Sequence, residues 1–246
     1  MLPEQTIDDL HALSMHAMAE SVRRGRGDPA REGLAYEERL GLDVGAERTS
    51  RAQKQLDRRV RQAKLKTNAA PEGIDYRPGR GLDRAVMANL LAGAWLGSMH
   101  VLLTGATGTG KTNTGCAIAF ALMRAGHRTR YAKVSTLLEE YEIARHDGSL
   151  PRLRASLARI ELHLLDDWGL APLTPRQAQD LFEVVDLLSG RSFVIMSQLP
   201  VDQWHAYIGA PMVADAICDR LVHNAIPIEL KGESMRKLNA NATTNA

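Results

Sequence analysis

The chain has 246 residues, 44% apolar and 24% charged, with a formal net charge of +2. This composition excludes an intrinsically disordered chain, and the near balance of charge excludes a nucleic-acid binder that works by bulk basicity. The length suits one sizeable α/β core with a small helical appendage, and two distant cysteines, Cys116 and Cys218, with no zinc-like spacing point to a reduced cytosol.

The opening residues, MLPEQTIDDL, carry acids where a secretion signal has a basic and then an apolar segment, so a cytoplasmic protein is expected. Residues 6–66 read as helical. Thr6 is placed as an N-cap with Asp9 three residues on, and Leu10, Leu13 and Ala17 follow at helical spacing. From Glu47 to Lys66 neither Gly nor Pro occurs, which predicts one continuous helix. That helix carries Arg48, Arg51, Lys54, Arg58, Arg59, Arg61, Lys64 and Lys66 against a single acid, Asp57. A solvated helix face is one reading of such a run; a surface for nucleic-acid phosphates is the other.

Thr67–Gly81, TNAAPEGIDYRPGRG, breaks every helical period and predicts a boundary. The expected division is a helical domain over 1–67, a linker over 68–84, an α/β domain over 85–238 and a disordered polar tail over 239–246. The uncharged run from Ala85 to Gly110 is long enough to raise a membrane span, but glycines interrupt it and it ends in a Gly-Thr loop. It reads instead as a helix, a turn and a buried strand.

Beyond the boundary, strands are expected near His100–Thr104, Arg128–Val134, Ile160–Asp166, Ser192–Gln198 and Ile226–Leu230, with helical text between them. That alternation predicts a mainly parallel sheet covered by helices on both faces. Between the first strand and the helix from Lys111 stands GATGTGKT, Gly105 to Thr112, which satisfies G-x-x-x-x-G-K-[ST] in the required context. Gly105, Ala106, Thr107, Gly108, Thr109 and Gly110 let backbone N–H groups wrap phosphates. Lys111 would reach the β- and γ-phosphates of ATP, and the Thr112 hydroxyl would ligate Mg²⁺.

A P-loop needs a second element to hold the metal and activate water. LHLLDDWG supplies Asp166 for the metal and Asp167 as base or water-orienting group; caps of the following turn are the plainer alternative. At the end of the next apolar strand, Ser197 and Gln198 could sense the γ-phosphate, since strand C-termini line the ligand crevice of such sheets. Arg220, in ADAICDRLVHNA, could supply positive charge to a neighbour's nucleotide, or simply pair with an acid.

LLDDWGLAPL, SQLPVDQWHAYIG, ADAICDRLVHNA and IELKGESMRK together resemble the IstB family, the AAA+ helper ATPases of insertion-sequence transposition, similar to the bacterial helicase loader DnaC and the initiator DnaA. LSMHAMAE and YEERLGLDV extend the likeness into the N-terminal helices, and it runs to Lys237. The resemblance implies an AAA+ P-loop NTPase fold behind a small all-α domain, in a bacterial cytoplasm. It also implies ATP-dependent self-assembly on duplex DNA, and recruitment and stimulation of a cognate transposase. Position by position, it implies Lys111 and Thr112 at phosphate and Mg²⁺, Asp166 and Asp167 at metal and water, and Gln198 with Ser197 as first sensor. Arg220 would be an arginine finger acting in trans between subunits of a homo-oligomer, and Arg236 either a second sensor or a surface or interdomain contact. Two departures bear on assembly and hydrolysis: Asn113-Thr114 where relatives carry a bulky residue and Leu, and DLLSGRS over 186–192 where relatives have Asp-Arg-Tyr.

An assembly enclosing DNA needs cations on its inner face. Besides the basic helix, Lys133, Arg145, Arg152 and Arg154 are candidates, with solvated faces paired to Glu139, Glu140 and Glu142 as the alternative. No base-reading motif occurs, so contacts are expected mainly at phosphates and should weaken steeply with salt. A helicase loader preferring single-stranded DNA, and a module that holds ATP without turnover, are the competing functions.

Overall fold

The computed structural model describes residues 2–235, so Arg236 and the tail expected at 239–246 lie outside the described residues. The chain divides into two units, Met1–Arg58 and Arg59–Ala246. The first contains α1 (Leu2–Ala12), α2 (His16–Gly25), α3 (Pro29–Glu32) and most of α4 (Tyr36–Ala63). Thr6 lies inside α1 and does not cap it; the helix starts earlier because Pro3 falls in its first turn, where a missing N–H is harmless. The long basic helix also starts earlier than expected. It is continuous over 28 residues and passes through Gly41 and Gly45, so the absence of glycine was too strict a criterion for its start.

Polar contacts organise this unit. Met15 gives α2 no side-chain cap, and Glu47 of α4 replaces it, accepting from the Ala17 and Met18 amides at 2.9 and 3.1 Å. Arg51 beside it holds the Glu47 carboxyl below its ordinary range. Asp43 accepts from Ser21 Oγ at 2.6 Å and from Arg31 at 2.9 Å, which ties α3 to the α2–α4 pair.

The second unit is built on a sheet of five parallel strands in the order β2-β3-β4-β1-β5. They are β1 (His100–Thr104), β2 (Thr129–Lys133), β3 (Leu162–Trp168), β4 (Ser192–Ser197) and β5 (Ala225–Glu229), within a residue or two of the expected strands. The helices are α5 (Arg84–Ala92), α6 (Lys111–Arg124), α7 (Val134–His146), α8 (Leu150–Ala158), α9 (Pro175–Leu187), α10 (Trp204–Ile208) and α11 (Pro211–Val222). Alternate residues enter opposite layers, as the two-residue period of a strand requires. Val101, Leu103, Leu164, Val194 and Met196 pack with Leu90, Ile118 and Leu122 on the α5–α6 side. Leu102, Leu165, Phe193 and Ile195 pack with Leu138, Tyr141, Leu181 and Ile217 on the other. Among the described residues no helix is long and apolar enough to cross a membrane.

Residues 68–84, expected as a linker, lie within the second unit. Ala69, Ile74 and Arg80 are buried there, and the Arg80 carbonyl accepts from the Lys231 amide at 3.0 Å. The Pro and Gly that broke the helical period thus let a packed segment run beside β5.

His163 of β3 is buried against Phe193, and its Nε2 has no hydrogen-bond partner. Burial, with Arg130 nearby, pushes its pKa down to about 3, so the folded protein keeps the ring neutral. An unfolded chain takes up that proton below about pH 6.5. The contribution of the neutral ring to stability is therefore complete above about pH 6.5 and is lost as pH falls toward 3. In urea unfolding between about pH 7 and pH 4, His163→Phe is expected to lose stability less steeply than wild type, by on the order of a few kcal/mol across that window. Parallel pH profiles would contradict this account of the ring.

Candidate functional site

β1 ends at Thr104 and the chain passes through Gly105–Gly110 into α6, whose N-cap is Gly110 at φ +99°. A glycine cap has no side chain to engage the first-turn amides, so those N–H groups remain open to an anion. Gly105 is required by contact as well as by its φ of +138°: a Cβ there would stand 2.2 Å from the Leu230 carbonyl oxygen. At Gly108 a Cβ would meet Ser234 Oγ at 2.3 Å. Residues 230–235 thus lie along the loop, and the Met235 amide donates to the Gly108 carbonyl at 2.9 Å. The Thr109 hydroxyl donates to the Ala106 carbonyl at 2.8 Å and closes the loop on itself.

Lys111 is buried, and its ammonium donates to the Gly105 and Ala106 carbonyls at 2.6 and 2.8 Å. Desolvation lowers its pKa, with Asp166 and Asp167 acting in the opposite sense. The cation is held within the loop that would wrap the phosphates.

The two aspartates owe their placement to an irregularity in β3. Leu165 pairs with Ile195, and the next pair is Trp168 with Ser197, so β3 has one residue more than β4 at this point. Asp167 sits in that bulge at φ +57°, a left-handed conformation that costs a non-glycine residue about 1–2 kcal/mol. The strand therefore runs on through both carboxylates, where the sequence suggested an end, and their side chains leave in different directions. Asp166 Oδ2 accepts from Thr112 Oγ1 at 2.9 Å and from the Tyr131 hydroxyl at 2.8 Å, while its Oδ1 accepts from the Asp167 amide at 2.9 Å. Burial and the Asp166 carboxylate push the Tyr131 pKa upward. Asp167 pairs with Lys133 at 2.8 Å.

Thr107 donates to Gln198 Oε1 at 2.5 Å, which brings Gln198 from the end of β4 onto the P-loop. Ser197 is occupied elsewhere: its hydroxyl is shared among the Trp168 carbonyl and the Leu199 carbonyl and amide, each at 2.9 Å, and it braces the turn. Arg220 lies at the other end of the sheet. Its carbonyl is 3.0 Å from His100 Nε2 at the start of β1, whereas the P-loop follows the end of β1; its guanidinium binds the Asp186 carboxylate at 2.8 Å. Asp186 opens the 186–192 segment, expected to depart from the relatives' pattern.

The expected DNA-contacting cations separate into two groups. Arg145 is engaged bidentately by buried Asp180, and Lys133 by Asp167, so both serve the second unit's own structure. Arg154 is likewise held by Glu183 and Tyr141. On α4, Arg51 pairs with Glu47, and Arg59 donates to the Met123 carbonyl at 3.2 Å. Arg48, Lys54, Arg58 and Arg61 are exposed. The spacing 48, 51, 54, 58, 61 puts five of these cations in one stripe along the helix.

A cavity of about 540 Å³ opens at the P-loop, lined among others by Ile74, Arg80, Gly110, Thr112, Asn113 and Leu230. It falls in the size range of nucleotide and cofactor sites. The adjacent Thr112 hydroxyl and Asp166 carboxylate oxygens suit a hard divalent cation, so the residues present fit Mg²⁺. Asn113 faces this cavity and Thr114 is buried in an unbroken α6, so the unusual pair after Thr112 is accommodated. Sequence reasoning passed over Arg80, whose buried guanidinium donates to the Thr109 and Glu233 carbonyls at 2.6 and 3.0 Å, because it stood in text read as linker. It also passed over Tyr131, which pairs with Leu164 in the β2–β3 register and from there reaches Asp166 two residues further along β3 with its hydroxyl.

Residues 8–243 match the family described as IstB-like ATP binding protein. A Sinorhizobium fredii protein with the provisional name insertion sequence ATP-binding protein y4pL is 40% identical over 239 residues, 96% of this chain and 98% of that one. The IS1162 ATP-binding protein of Pseudomonas fluorescens, also provisionally named, is 41% identical over 203 residues, 81% of this chain and 88% of that one. Among solved structures, AMPPCP-bound DnaA from Aquifex aeolicus superposes with a TM-score of 0.59 at 18% identity, covering 74% of this chain and 57% of that protein. The DnaC helicase loader gives 0.56 at 14% identity, covering 69% of this chain and 100% of that protein. At such identities these two structures establish a shared AAA+ fold.

Proposed function

We propose, since this chain belongs to the family of IstB-like ATP-binding proteins, that it is a helper ATPase assembling on duplex DNA to recruit and stimulate its insertion sequence's transposase. The observation that supports this most is the meeting of the P-loop, the bulged aspartate pair and Gln198 at one end of the sheet, with Arg220 at the other. In this reading the Gly105–Gly110 amides and Lys111 bind the triphosphate of ATP, and Thr112 and Asp166 hold Mg²⁺. The metal, when bound, neutralises charge on the β- and γ-phosphates. Asp167 orients and deprotonates the attacking water, and Gln198 reads the γ-phosphate through Thr107 and the loop. Arg220 lies outside its own chain's cavity and acts on the nucleotide of the next subunit after exchanging Asp186 for phosphate. The α4 stripe meets DNA phosphates without reading bases, so affinity falls steeply with salt.

The test is fluorescence anisotropy of a labelled random duplex with ATP, ADP or no nucleotide. Tight cooperative binding in ATP alone is expected, reduced about tenfold or more by Arg220→Ala through loss of the subunit contact. Duplex binding indifferent to nucleotide would overturn the assembly mechanism. The fold shared with the DnaC loader supports a second reading, a loader on single-stranded DNA; binding to single strands and not to duplex would favour it.

A further inference from the structure

Asp166 is almost fully buried yet has more donors around it than a metal ligand needs. Besides Thr112, Tyr131 and the Asp167 amide, the Lys66 ammonium approaches Oδ2 at 3.5 Å. Lys66 comes from a part of the chain unrelated to the P-loop. α4 ends at Ala63, Lys64 turns the backbone at φ +53°, and Lys66 then reaches the cavity at the same oxygen that Thr112 touches.

We propose that Lys66 is a built-in counter-cation of the metal site, neutralising Asp166 in the metal-free protein and giving way when a divalent cation arrives with the nucleotide. The inference rests on the reading of this cavity as a magnesium–nucleotide site. A buried carboxylate without a nearby positive charge is strongly disfavoured. The other two lysines of the site act on Asp166 through space but give their hydrogen bonds elsewhere, Lys111 to the Gly105 and Ala106 carbonyls and Lys133 to Asp167. Lys66 is the one of the three whose ammonium reaches an Asp166 oxygen as an ion pair. A divalent ion on Asp166 Oδ2 and Thr112 Oγ1 would stand within a few ångströms of the ammonium, and like charges that close repel. The Lys66 side chain is 37% exposed and has solvent to withdraw into. Its withdrawal breaks the ion pair that ties Asp166 to the segment just after the last turn of α4.

The alternative role for a lysine in this cavity is to bind phosphate, and the two roles predict opposite signs. The experiment is a Mn²⁺ titration of the full chain saturated with ADP, with free Mn²⁺ read by electron paramagnetic resonance; Mn²⁺ takes the same oxygen ligands as Mg²⁺. Lys66→Met is expected to bind Mn²⁺ about two- to fivefold more tightly than wild type, the size of a partly screened ion pair. Lys66→Arg, which keeps the charge, should return affinity to near the wild-type value, and Thr112→Ala should weaken it. Unchanged or weaker Mn²⁺ binding by Lys66→Met, with Thr112→Ala still weakening it, would overturn the counter-cation alone. Absence of ADP-dependent Mn²⁺ binding in wild type would overturn the nucleotide reading and the counter-cation with it.

Discussion

Lys111→Ala is expected to weaken ATP binding about a hundredfold or more while leaving the fold intact. Charge-assisted hydrogen bonds contribute about 1.5–3 kcal/mol each, and a P-loop ammonium reaching two phosphates makes at least two, which gives about 10²–10⁴ in affinity. In the structure the same ammonium satisfies the Gly105 and Ala106 carbonyls, so it must exchange those partners for phosphate oxygens as the loop fills. Equilibrium binding of a fluorescent ATP analogue measures the loss, and thermal unfolding without nucleotide checks that the variant is folded. An unchanged dissociation constant would mean that the loop does not grip phosphate.

Asp167→Asn is expected to reduce ATP hydrolysis about 10²–10³-fold while changing ATP affinity by less than about threefold, since removing a base affects the transition state far more than ground-state binding. Asparagine is the appropriate replacement because position 167 is left-handed at φ +57°, which Asn tolerates better than Ala. Phosphate release under saturating ATP gives the rate. Lys133→Met serves as control: if loss of the Lys133 pair explained the effect, that variant would reproduce it. Hydrolysis at the wild-type rate in Asp167→Asn would move the base role away from this carboxylate. Retention of ATP binding with slow turnover would also prolong the DNA-bound state in the proposed function.

The sheet and the P-loop were legible because each is a local pattern: apolar runs of strand length separated by helical text, and a glycine spacing that fits one backbone geometry. The five strands fell within a residue or two of their expected places. The Asp166–Asp167 pair was found, but not the bulge that separates the two side chains, because an extra residue in a ladder exists only relative to the neighbouring strand. Arg80, and the contact that Lys66 of the basic run makes with Asp166, were missed for a related reason. Each side chain acts on a residue far along the chain, Arg80 on Thr109 and Glu233, Lys66 on Asp166, and nothing in the spacing of local text records such a partner. Arg145 shows the reverse error. Its sequence neighbourhood suggested a solvent-facing cation, and the fold brings buried Asp180 to it from α9.

The strand order has a consequence for how the protein is made. β1, which carries the P-loop, is flanked by β4 and β5, the last two strands to emerge from the ribosome. The Leu230 amide that braces Thr104, and the Met235 amide that braces Gly108, come later still. Such pairings across long stretches of sequence are slow to close and cannot begin until both partners exist. The P-loop cradle is therefore completed late in the synthesis of the second unit, after β4 and β5. In the proposed function, ATP that binds the finished cradle and not the partial chain draws the final closure forward by mass action. A nascent chain that has made its glycine loop but neither β4 nor β5 is exposed along both edges of β1, and that interval is where a chaperone would be needed.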